Sequence, residues 1–417
     1  MQKFLIRGEH RLEGRLKIHG AKNSVLPILA AGLLCGDCVV HNCPKLTDVD
    51  AACHILRHLG AGVERAGDSI AIRPRVECCC CIPDELMRMM RSSIIFLGAI
   101  VGKCGRARIS LPGGCELGPR PIDLHLAALE KLGVTIEEDH GYLDCRVRDR
   151  LRGATIALPF PSVGATENIM IAASLAEGET VIKNAAREPE IVDLGNFLCA
   201  CGGDVRVTPD GDVHIRGVKA LHPAQHRVIP DRIAAATYLS CAAATGGDVT
   251  LTDVCAEHLS AVLPCFEEMG CALQVKEDSI RLKAPRRLRP LRSVRTMPYP
   301  GFPTDAQSPL MAAACLADGT SMFVENIFES RYKHVPELMR MGADIKLEGR
   351  VALVHGVREL HSAAVQCTDL RGGAAIAVAA LAARGESELC AIEHIDRGYE
   401  AFEKNLESIG ADIRRVG

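Results

Sequence analysis

The chain repeats one pattern of apolar and polar positions six times. Each copy opens on an Ala-rich apolar run, of which "ENIMIAASLA" and "AAIAVAALAA" are examples. A short β-like piece follows, then a second helical segment that ends at a glycine, and then alternation as in "ADIKLEGRVALV". Apolar runs of helical length predict helices, and strict alternation predicts strands. Each copy therefore predicts helix, strand, helix, strand, strand.

The glycine after the second helix sets the period of the repeat. The six glycines lie 68 to 73 residues apart, at Gly60, Gly133, Gly202, Gly270, Gly342 and Gly410. Self-similarity at a fixed period is typical of repeat architectures. A solenoid is one possibility, and two closed groups of three units would bury the apolar faces equally well. A generic α/β repeat is the least specific interpretation.

Polar residues stand where the first helix of each copy begins. The openings read "GAKNS", "RSSI", "GATEN", "PDRI", "PTDAQ" and "TDLRG". Ser, Thr, Asp and Asn are the preferred N-cap residues, and helix N-termini attract anions. Four openings add a cation: Lys22, Arg91, Arg232 and Arg371. A fold that directed these openings into one cleft would build an anion site.

Composition narrows the class of protein. The 417 residues are 48% hydrophobic and 24% charged, which is typical of a soluble globular protein with two domains. A net charge of −3, with 3% aromatic residues and no tryptophan, argues against nucleic-acid binding. No stretch reads as a signal peptide or a membrane span, so we expect a cytoplasmic protein whose 20 cysteines are thiols.

Two cysteine motifs raise the question of a metal. "CGDC" at 35–38 aligns with "EGET" at 177–180 and "DGTS" at 318–321, which carry no cysteine or histidine. Adjacent side chains of "CCCC" at 78–81 point apart along an extended chain. Neither motif has a partner pair at zinc-finger spacing, so we predict no metal site.

Cys115 is the cysteine with the strongest chemical context. It follows two glycines, and Arg120 nearby would favour its thiolate. A plain loop cysteine is the alternative. Asp305 and Asp369 are either helix caps or functional carboxylates, and Arg397 is either a surface residue or an anion ligand. Motifs for ATP loops, dinucleotide folds, serine hydrolases and zincins are absent from the sequence.

Together these stretches resemble the UDP-N-acetylglucosamine enolpyruvyl transferases of the EPSP synthase superfamily. The resemblance extends from the first residues to the last. It rests on "GAKNSVLPILAA", "LPGGCELGPRPIDLH", "NAAREPEIVDLGNFL", "FPTDAQ", "ENIFESRYKHVPELMRMGA", "TDLRGGAA" and "HIDRGYE".

The resemblance implies an α/β fold of two inside-out barrel domains, each with three pseudo-symmetric repeats. One domain would span 22–229 and carry a mobile loop with Cys115. The other would combine 1–21 with 230–417, and the active site would lie in the cleft between them.

The implied reaction transfers the enolpyruvyl group of phosphoenolpyruvate to the 3′-hydroxyl of UDP-N-acetylglucosamine. It releases phosphate by addition and elimination, as the first committed step of peptidoglycan synthesis. The resemblance makes Cys115, Asp305, Lys22, Arg397 and Asp369 catalytic. Asp305 would take the hydroxyl proton, and Cys115 would act as a proton donor or assist product release.

The resemblance also implies two sets of ligand contacts. Phosphoenolpyruvate would meet Lys22, Asn23, Arg120, Arg371 and Arg397. The UDP-sugar would meet Asn23, Arg91, Arg120, Pro121, Ile122, Asp123, Leu124, Ser162, Val163, Asp305, Ile327 and Arg331. No cofactor is implied, the partners are small molecules, and we expect a monomer.

One position departs from the family pattern. Phe160 stands where close relatives can carry a lysine near the nucleotide, so we expect a weaker contact there. Because Cys115 is present, the resemblance implies inactivation by fosfomycin, an epoxide that alkylates this cysteine.

Three alternatives remain at this stage. The sister family, 5-enolpyruvylshikimate-3-phosphate synthase, shares the fold and the phosphoenolpyruvate chemistry. A non-catalytic paralogue that binds UDP-sugar would be expected to have lost catalytic residues, and they are present here. A cysteine-rich metal-binding protein is the third.

Overall fold

The computed structural model describes residues 2–75, 78–90, 92–111 and 122–417. In these ranges the helices are α1 (Lys22–Ala31), α2 (Thr47–His58), α3 (Asp84–Met89), α4 (Phe96–Cys104), α5 (Asp123–Lys131), α6 (Val163–Ala173), α7 (Pro189–Ala200), α8 (Arg232–Ala244), α9 (Leu263–Glu268), α10 (Thr304–Ala314), α11 (Val335–Arg340), α12 (Leu370–Ala382), α13 (Glu393–Asp396) and α14 (Phe402–Glu407). Short 3-10 helices cover Ser93–Ile95, Ala256–Leu259 and Arg331–His334.

The strands in chain order begin with β1 (Lys3–Arg7), β2 (Glu13–Lys17), β3 (Cys38–His41), β4 (Gly62–Ala66), β5 (Ser69–Arg73), β6 (Cys81–Ile82), β7 (Arg106–Ser110), β8 (Val134–Asp139), β9 (Tyr142–Val147), β10 (Thr155–Ala157), β11 (Glu179–Lys183) and β12 (Asp204–Val207). They continue with β13 (Val213–Arg216), β14 (Gln225–Arg227), β15 (Asp248–Thr252), β16 (Ala272–Val275), β17 (Ser279–Lys283), β18 (Val294–Arg295), β19 (Thr320–Val324), β20 (Asp344–Glu348), β21 (Val351–His355), β22 (Ala364–Gln366), β23 (Glu386–Cys390) and β24 (Asp412–Val416).

The predicted order of elements within each copy is confirmed. The first copy runs α1, β3, α2, β4, β5, and the second and third repeat this order from α4 and from α6. The fourth and fifth begin at α8 and α10. In the sixth, β24 pairs antiparallel with β1, so the N-terminal strand supplies the last strand of the final copy.

The six period-marking glycines all have left-handed backbone conformations. Their φ angles lie between 86° and 98°, a region that L side chains rarely adopt. Gly60 is typical, since its N–H donates to the carbonyl of Arg57 at the end of α2. Glycine at this point ends a helix at low conformational cost, which explains why the repeat is visible in the sequence.

Each copy contributes to a four-stranded sheet of one repeated design. In the order β6-β7-β9-β8, three strands pair antiparallel, and the short edge strand β6 pairs parallel with β7. The pattern of the sequence did not predict these edge strands. A segment of two to five residues is too short to show the alternation that identifies a strand.

Two edge strands join the sheet of a different copy. β2 precedes α1 in the chain but pairs parallel with β15 of the fourth copy. β14 precedes α8 but pairs parallel with β3 of the first copy. This exchange is long-range and leaves no local signal in the sequence.

The chain divides into two compact units, which we describe separately. We call them the terminal unit, with described residues 2–19 and 230–417, and the central unit, with the described residues from 20 to 229. The helices α8, α10 and α12 pack on one another in the terminal unit, as α1, α4 and α6 do in the central unit. In α12 every residue from Arg371 to Leu381 is buried. A helix that is apolar on all sides belongs at the centre of a domain, which gives each unit its inside-out architecture.

Two glycines of α4 make the packing of these central helices testable. A Cβ at Gly98 would lie 2.4 Å from both the backbone oxygen and Oδ1 of Asn168 on α6. A Cβ at Gly102 would meet nothing closer than 3.7 Å.

We predict that Gly98→Ala lowers the free energy of unfolding by about 3 kcal/mol, because α4 must move away from α6. Gly102→Ala on the same helix is the control and should be neutral or stabilising by up to about 1 kcal/mol. Urea denaturation measures both variants. Equal stability of the two would contradict the close approach of α4 and α6.

Candidate functional site

An ion cluster lies at the start of α10 in the terminal unit. Asp305, the second residue of α10, contacts Arg331 Nη2 through Oδ1 at 2.8 Å and Arg371 Nη2 through Oδ2 at 3.2 Å. The Arg331 and Arg371 side chains are 1% and 2% exposed, whereas that of Asp305 is 26% exposed. One carboxylate therefore bridges two buried guanidinium groups and keeps one face towards solvent.

The environment of Arg371 keeps it charged. Burial alone would lower its pKa, but the neighbouring Tyr399, Asp305 and Asp231 outweigh burial and raise it. The guanidinium carbon lies 5.2 Å from the centre of the Tyr399 ring. The cluster thus holds two permanently charged, buried guanidinium groups whose counter-charges are carboxylates.

Capping carboxylates hold the ends of the neighbouring helices. Asp369 accepts hydrogen bonds from the backbone N–H groups of Arg371 and Gly372, each at 3.0 Å. Asp231 accepts from those of Ile233 and Ala234, each at 2.8 Å. Asp369 is therefore an N-cap, one of the two roles that its sequence allowed. Arg371 in the first turn of α12 thus has Asp305 of α10 and the α8 cap Asp231 among its charged neighbours.

The loop after β19 is tied to the same helix start. Glu325 accepts hydrogen bonds from Thr304 Oγ1 at 2.9 Å and from the backbone N–H of Ile327 at 2.7 Å. Arg331 Nη2 also donates to the carbonyl of Thr304 at 2.8 Å. These bonds bring Ile327 into the neighbourhood of Thr304 and Asp305 at the start of α10.

Arg397 follows α13 and is partly exposed, two residues before Tyr399, which contacts Arg371. Its neighbour Asp396 has a structural role, since its oxygens accept hydrogen bonds from Arg415 at 2.6 and 2.9 Å. Direct contacts therefore bring together Asp305, Arg331, Asp369 and Arg371. Ile327 is linked to them through Glu325, and Arg397 lies in the same unit.

A second cationic group lies at the start of α1 in the central unit. Lys22 is the first residue of α1, and its Nζ lies 2.6 Å from Asp48 Oδ2. The Lys22 side chain is 12% exposed and that of Asp48 is 2% exposed. Asn23, the next residue of α1, is partly exposed. Asp48 therefore fixes the position of the lysine while the start of α1 remains accessible.

Asp193 of α7 holds the first turn of α1 through a hydrogen bond. The Ser24 hydroxyl donates to Asp193 Oδ2, and His226 Nε2 lies 2.8 Å from Asp193 Oδ1. The backbone N–H of Ile229 also donates to this carboxylate, at 3.3 Å. A buried, multiply bonded carboxylate thus holds Lys22 and Asn23 in a defined orientation.

The two stretches predicted to contact the nucleotide lie side by side. Ser162 caps α6, its Oγ accepting from the backbone N–H of Ala165 at 3.4 Å, and Val163 begins the helix. A Cβ at Gly164 would lie 3.2 Å from the ring of His125, which follows Asp123 and Leu124 at the start of α5. The close approach of α5 to α6 therefore depends on Gly164 having no side chain.

His125 is itself held by a buried amide. Asn168 Nδ2 donates to His125 Nδ1 and to the carbonyl of Ile94, both at 3.0 Å. Burial lowers the pKa of His125 to about 4, so the ring is neutral at neutral pH. Glu167 of the same unit is also buried. Burial and the nearby charges of Glu190 and Glu188 raise the pKa of its carboxyl group well above the usual value.

Four predicted site residues, Arg91, Cys115, Arg120 and Pro121, lie outside the described residues. Ile122 caps α5 and is partly buried. Phe160, the position that departs from the family pattern, is 44% exposed two residues before the N-cap of α6.

Three residues that position predicted site residues were not themselves predicted from the sequence: Asp48, Asp231 and Glu325. Asp48 and Asp231 stand at the starts of helices, in "LTDVD" and "IPDRI", where a carboxylate reads as a simple cap. Only the tertiary structure shows that Asp48 pairs with Lys22 and that Asp231 faces Arg371.

One group of potential metal ligands emerges among the described residues. The sulfur atoms of Cys35, Cys38 and Cys201 all lie within 4.8 Å of one another, and all three residues are buried. No helix in the described ranges has the length and apolar character that crossing a membrane requires.

Comparison with known proteins places this geometry in a family. A sequence model of EPSP synthase (3-phosphoshikimate 1-carboxyvinyltransferase) matches residues 6–406, almost the whole chain. The chain belongs to the EPSP synthase family.

Within this family the similar curated proteins share one name. A "UDP-N-acetylglucosamine 1-carboxyvinyltransferase 2" from Caldanaerobacter subterraneus subsp. tengcongensis is 50% identical over 417 residues, covering 100% of both chains. A "UDP-N-acetylglucosamine 1-carboxyvinyltransferase" from Zymomonas mobilis subsp. mobilis is 48% identical, again covering 100% of both.

Solved structures of the family share the fold at low sequence identity. The enolpyruvyl transferase NikO from Streptomyces tendae superposes with a TM-score of 0.91 at 24% identity, covering 100% of this chain and 99% of that one. An EPSP synthase from Acinetobacter baumannii gives a TM-score of 0.75 at 20% identity, with 100% of both chains covered. The expected two-domain inside-out α/β fold is thereby confirmed.

His334, in the 3-10 helix that carries Arg331, makes the cluster sensitive to pH. It is fully buried, and its Nδ1 lies 3.2 Å from the carbonyl of Arg331. Burial lowers the pKa of His334 to about 4, although Asp369 acts in the opposite direction. Because the unfolded chain binds the proton more readily, stability is fully present above about pH 6.5 and is lost as the pH falls towards 4.

We predict that His334→Gln removes part of this acid sensitivity. The free energy of unfolding should fall between pH 7 and pH 4 by about 3 kcal/mol less in the variant than in the parent protein. Urea denaturation at a series of pH values measures the difference, and His10→Gln, at an exposed position, is the control. Identical pH profiles for His334→Gln and the parent would refute the buried neutral histidine.

Proposed function

We propose that this protein transfers the enolpyruvyl group of phosphoenolpyruvate to the 3′-hydroxyl of UDP-N-acetylglucosamine and releases phosphate. The reaction proceeds by addition and elimination, and it begins peptidoglycan synthesis. The observation that carries the proposal is the 50% identity, over the full length of both chains, to a protein named for this carboxyvinyl transfer.

The charges of the two units suit the substrates. Phosphoenolpyruvate brings a phosphate and a carboxylate, and the UDP-sugar brings a diphosphate. Guanidinium and ammonium groups bind such anions through charge-assisted hydrogen bonds. We assign Lys22, Asn23, Arg120, Arg371 and Arg397 to phosphoenolpyruvate. Lys22 and Asn23 begin α1 and Arg371 lies in the first turn of α12, and these two helix starts add the partial positive charge of their backbone N–H groups.

Asp305 is the proposed general base for the sugar hydroxyl. A carboxylate that bridges two arginines is a weak base, because both cations stabilise its ionised form. When Arg331 and Arg371 turn to the substrate anions, Asp305 loses these stabilising bonds and its affinity for the hydroxyl proton rises. The ion cluster thereby couples the binding of anionic substrate to activation of the base.

Asp369 contributes by position. Its carboxylate is occupied by the N–H groups of Arg371 and Gly372, so it holds the backbone that presents the Arg371 guanidinium. Cys115 takes part in catalysis, either as proton donor at the methylene carbon or in product release. Its thiol makes fosfomycin an expected inactivator.

The UDP-sugar is assigned to residues of both units. The nucleotide binds the adjacent starts of α5 and α6, which contribute Ile122, Asp123, Leu124, Ser162 and Val163. Arg120 and Pro121 complete the nucleotide contacts, Asn23, Asp305 and Ile327 contact the sugar, and Arg91 and Arg331 are further contacts of the UDP-sugar. Phe160 offers an exposed ring in place of a charge. We further propose that the two domains are 22–229 and 1–21 with 230–417, that the active site lies in the cleft between them, and that the protein acts as a cytoplasmic monomer.

The test is phosphate release from phosphoenolpyruvate with two acceptors offered separately, UDP-N-acetylglucosamine and shikimate 3-phosphate. We predict release with the UDP-sugar only, with a product one enolpyruvyl group heavier in the mass spectrum. Pre-treatment with fosfomycin should abolish release, and Cys115→Asp should remain active after the same treatment.

The control arms separate the alternatives. Release with shikimate 3-phosphate alone would move the protein to the sister activity. A folded sample that releases nothing with either acceptor, yet binds the UDP-sugar, would be a non-catalytic binding protein.

A further inference from the structure

Three cysteines from distant parts of the chain meet in the central unit. Cys35 lies in the turn between α1 and β3, Cys38 is the first residue of β3, and Cys201 follows α7 directly. Their side-chain sulfur atoms are mutually within 4.8 Å, and the residues are 4%, 1% and 0% exposed. The proposed reaction uses none of them.

The repeat architecture does not require this cluster. At the position of Cys38, two sister copies carry the buried hydroxyl residues Thr180 and Ser321. Ser321 Oγ accepts a hydrogen bond from the backbone N–H of Leu291 at 3.0 Å, whereas Thr180 Oγ1 is buried without a hydrogen-bond partner among the described residues. A buried hydroxyl occupies this position in both sister copies, so the repeat does not require sulfur there.

Cys201 fills a position that is apolar in the other copies. The residue before the period-marking glycine is Leu59, Leu132, Met269, Met341 or Ile409 in the sister repeats. At the position of Cys35, the sister turns carry Glu177 and Asp318. The second copy carries Cys104 at this position, so position 35 is variable, and packing of the repeat accounts for an apolar residue at 201 but not for the meeting of its sulfur with those of Cys35 and Cys38.

The surroundings of the cluster favour a cation. Helix α1 ends at Ala31, whose carbonyl accepts a hydrogen bond from the Cys35 thiol at 3.4 Å. Helix α7 ends at Ala200, and Cys201 is its C-cap. The C-terminal ends of helices carry partial negative charge, which stabilises a positive ion nearby.

The spacing of the sulfurs also suits a metal. Thiolate sulfur binds zinc at about 2.3 Å, so sulfurs that share one ion lie about 3.8 Å apart. Sulfurs already within 4.8 Å need only side-chain adjustment to reach that separation. Thiolate ligands select soft, closed-shell ions, of which Zn²⁺ and Cu⁺ are the biological examples.

We propose that Cys35, Cys38 and Cys201 form a three-thiolate site for one thiophilic, closed-shell metal ion. Each thiol loses its proton as a metal–sulfur bond forms, and the three protons pass to solvent. The ion joins the turn after α1 to the end of α7, and so supports the helix whose first residues are Lys22 and Asn23. The site is structural, because it lies at the opposite end of α1 from those residues.

The experiment uses the full chain, purified under reducing conditions, stripped with a chelator, and reloaded with Zn²⁺ or with Cu⁺ in separate samples. Because the four cysteines at 78–81 can bind metal at the surface, all four are changed to serine in the starting variant. We expect about one ion per chain after desalting, as in structural zinc sites. The sample that retains the ion identifies the metal.

Single substitutions in the starting variant locate the ion. Cys201→Ala or Cys35→Ala should abolish retention, whereas Cys53→Ala, which removes a buried cysteine of the same unit outside the cluster, should leave it unchanged. Co²⁺ gives a second readout, since sulfur-to-cobalt charge-transfer absorption reports thiolate ligands directly and should disappear in the same two variants.

Several results would overturn the proposal. They are failure of the starting variant to retain either ion, equal retention with and without Cys201, or mass-spectrometric detection of a disulfide within the trio in the reduced sample. If Cys201→Ala does not fold, metal retention by Cys35→Ala, a substitution in the turn after α1, tests the proposal instead. None of these results depends on enolpyruvyl transfer, so the outcome is independent of the proposed function.

Discussion

The bridge from Asp305 to Arg331 and Arg371 is the interaction on which the terminal unit depends. It joins the starts of α10 and α12 to the 3-10 helix at 331–334. Two guanidinium groups buried to this degree need a counter-charge, and removal of one partner of a buried pair commonly costs about 3 to 5 kcal/mol. Function and stability therefore compete for one carboxylate, which must leave its arginines to act as a base.

The six-fold repeat explains why the charges collect where they do. A central helix that is apolar on all sides leaves polar residues only at its ends, and the N-terminal end also attracts anions. In the terminal unit Arg371 lies at one such end, beside the cap Asp369, and Asp231 and Asp305 at two other ends are among its charged neighbours. In the central unit, the Lys22–Asp48 pair and the Asp193 network occupy the start of α1. The repeat supplies the frame, and single residues at the helix starts supply the chemistry.

The period of the repeat was visible in the sequence because the left-handed glycine at each helix end has few substitutes. The resemblance to known motifs also predicted Asp305, Arg331 and Arg371 as site residues. The sequence did not predict the exchanged strands β2 and β14, the pairing of Asp48 with Lys22, or the contact of Cys201 with "CGDC". Each of these features joins residues that lie far apart in the chain. The two strands are also too short to show a pattern. Local spacing carries no information about such contacts. The absence of a sister motif for "CGDC" argued against a metal site there, and Cys201 lies 163 residues from Cys38.

The most direct measurement compares Asp305→Asn with the parent enzyme in both substrate binding and turnover. The amide keeps an oxygen for the arginines but is not a base. The account predicts that kcat falls by about 100-fold or more, while the Kd for UDP-N-acetylglucosamine measured by calorimetry changes by less than about threefold. Asp318→Asn, at an exposed turn, should leave both unchanged. An Asp305→Asn variant that folds, binds and turns over like the parent would contradict the role of the carboxylate.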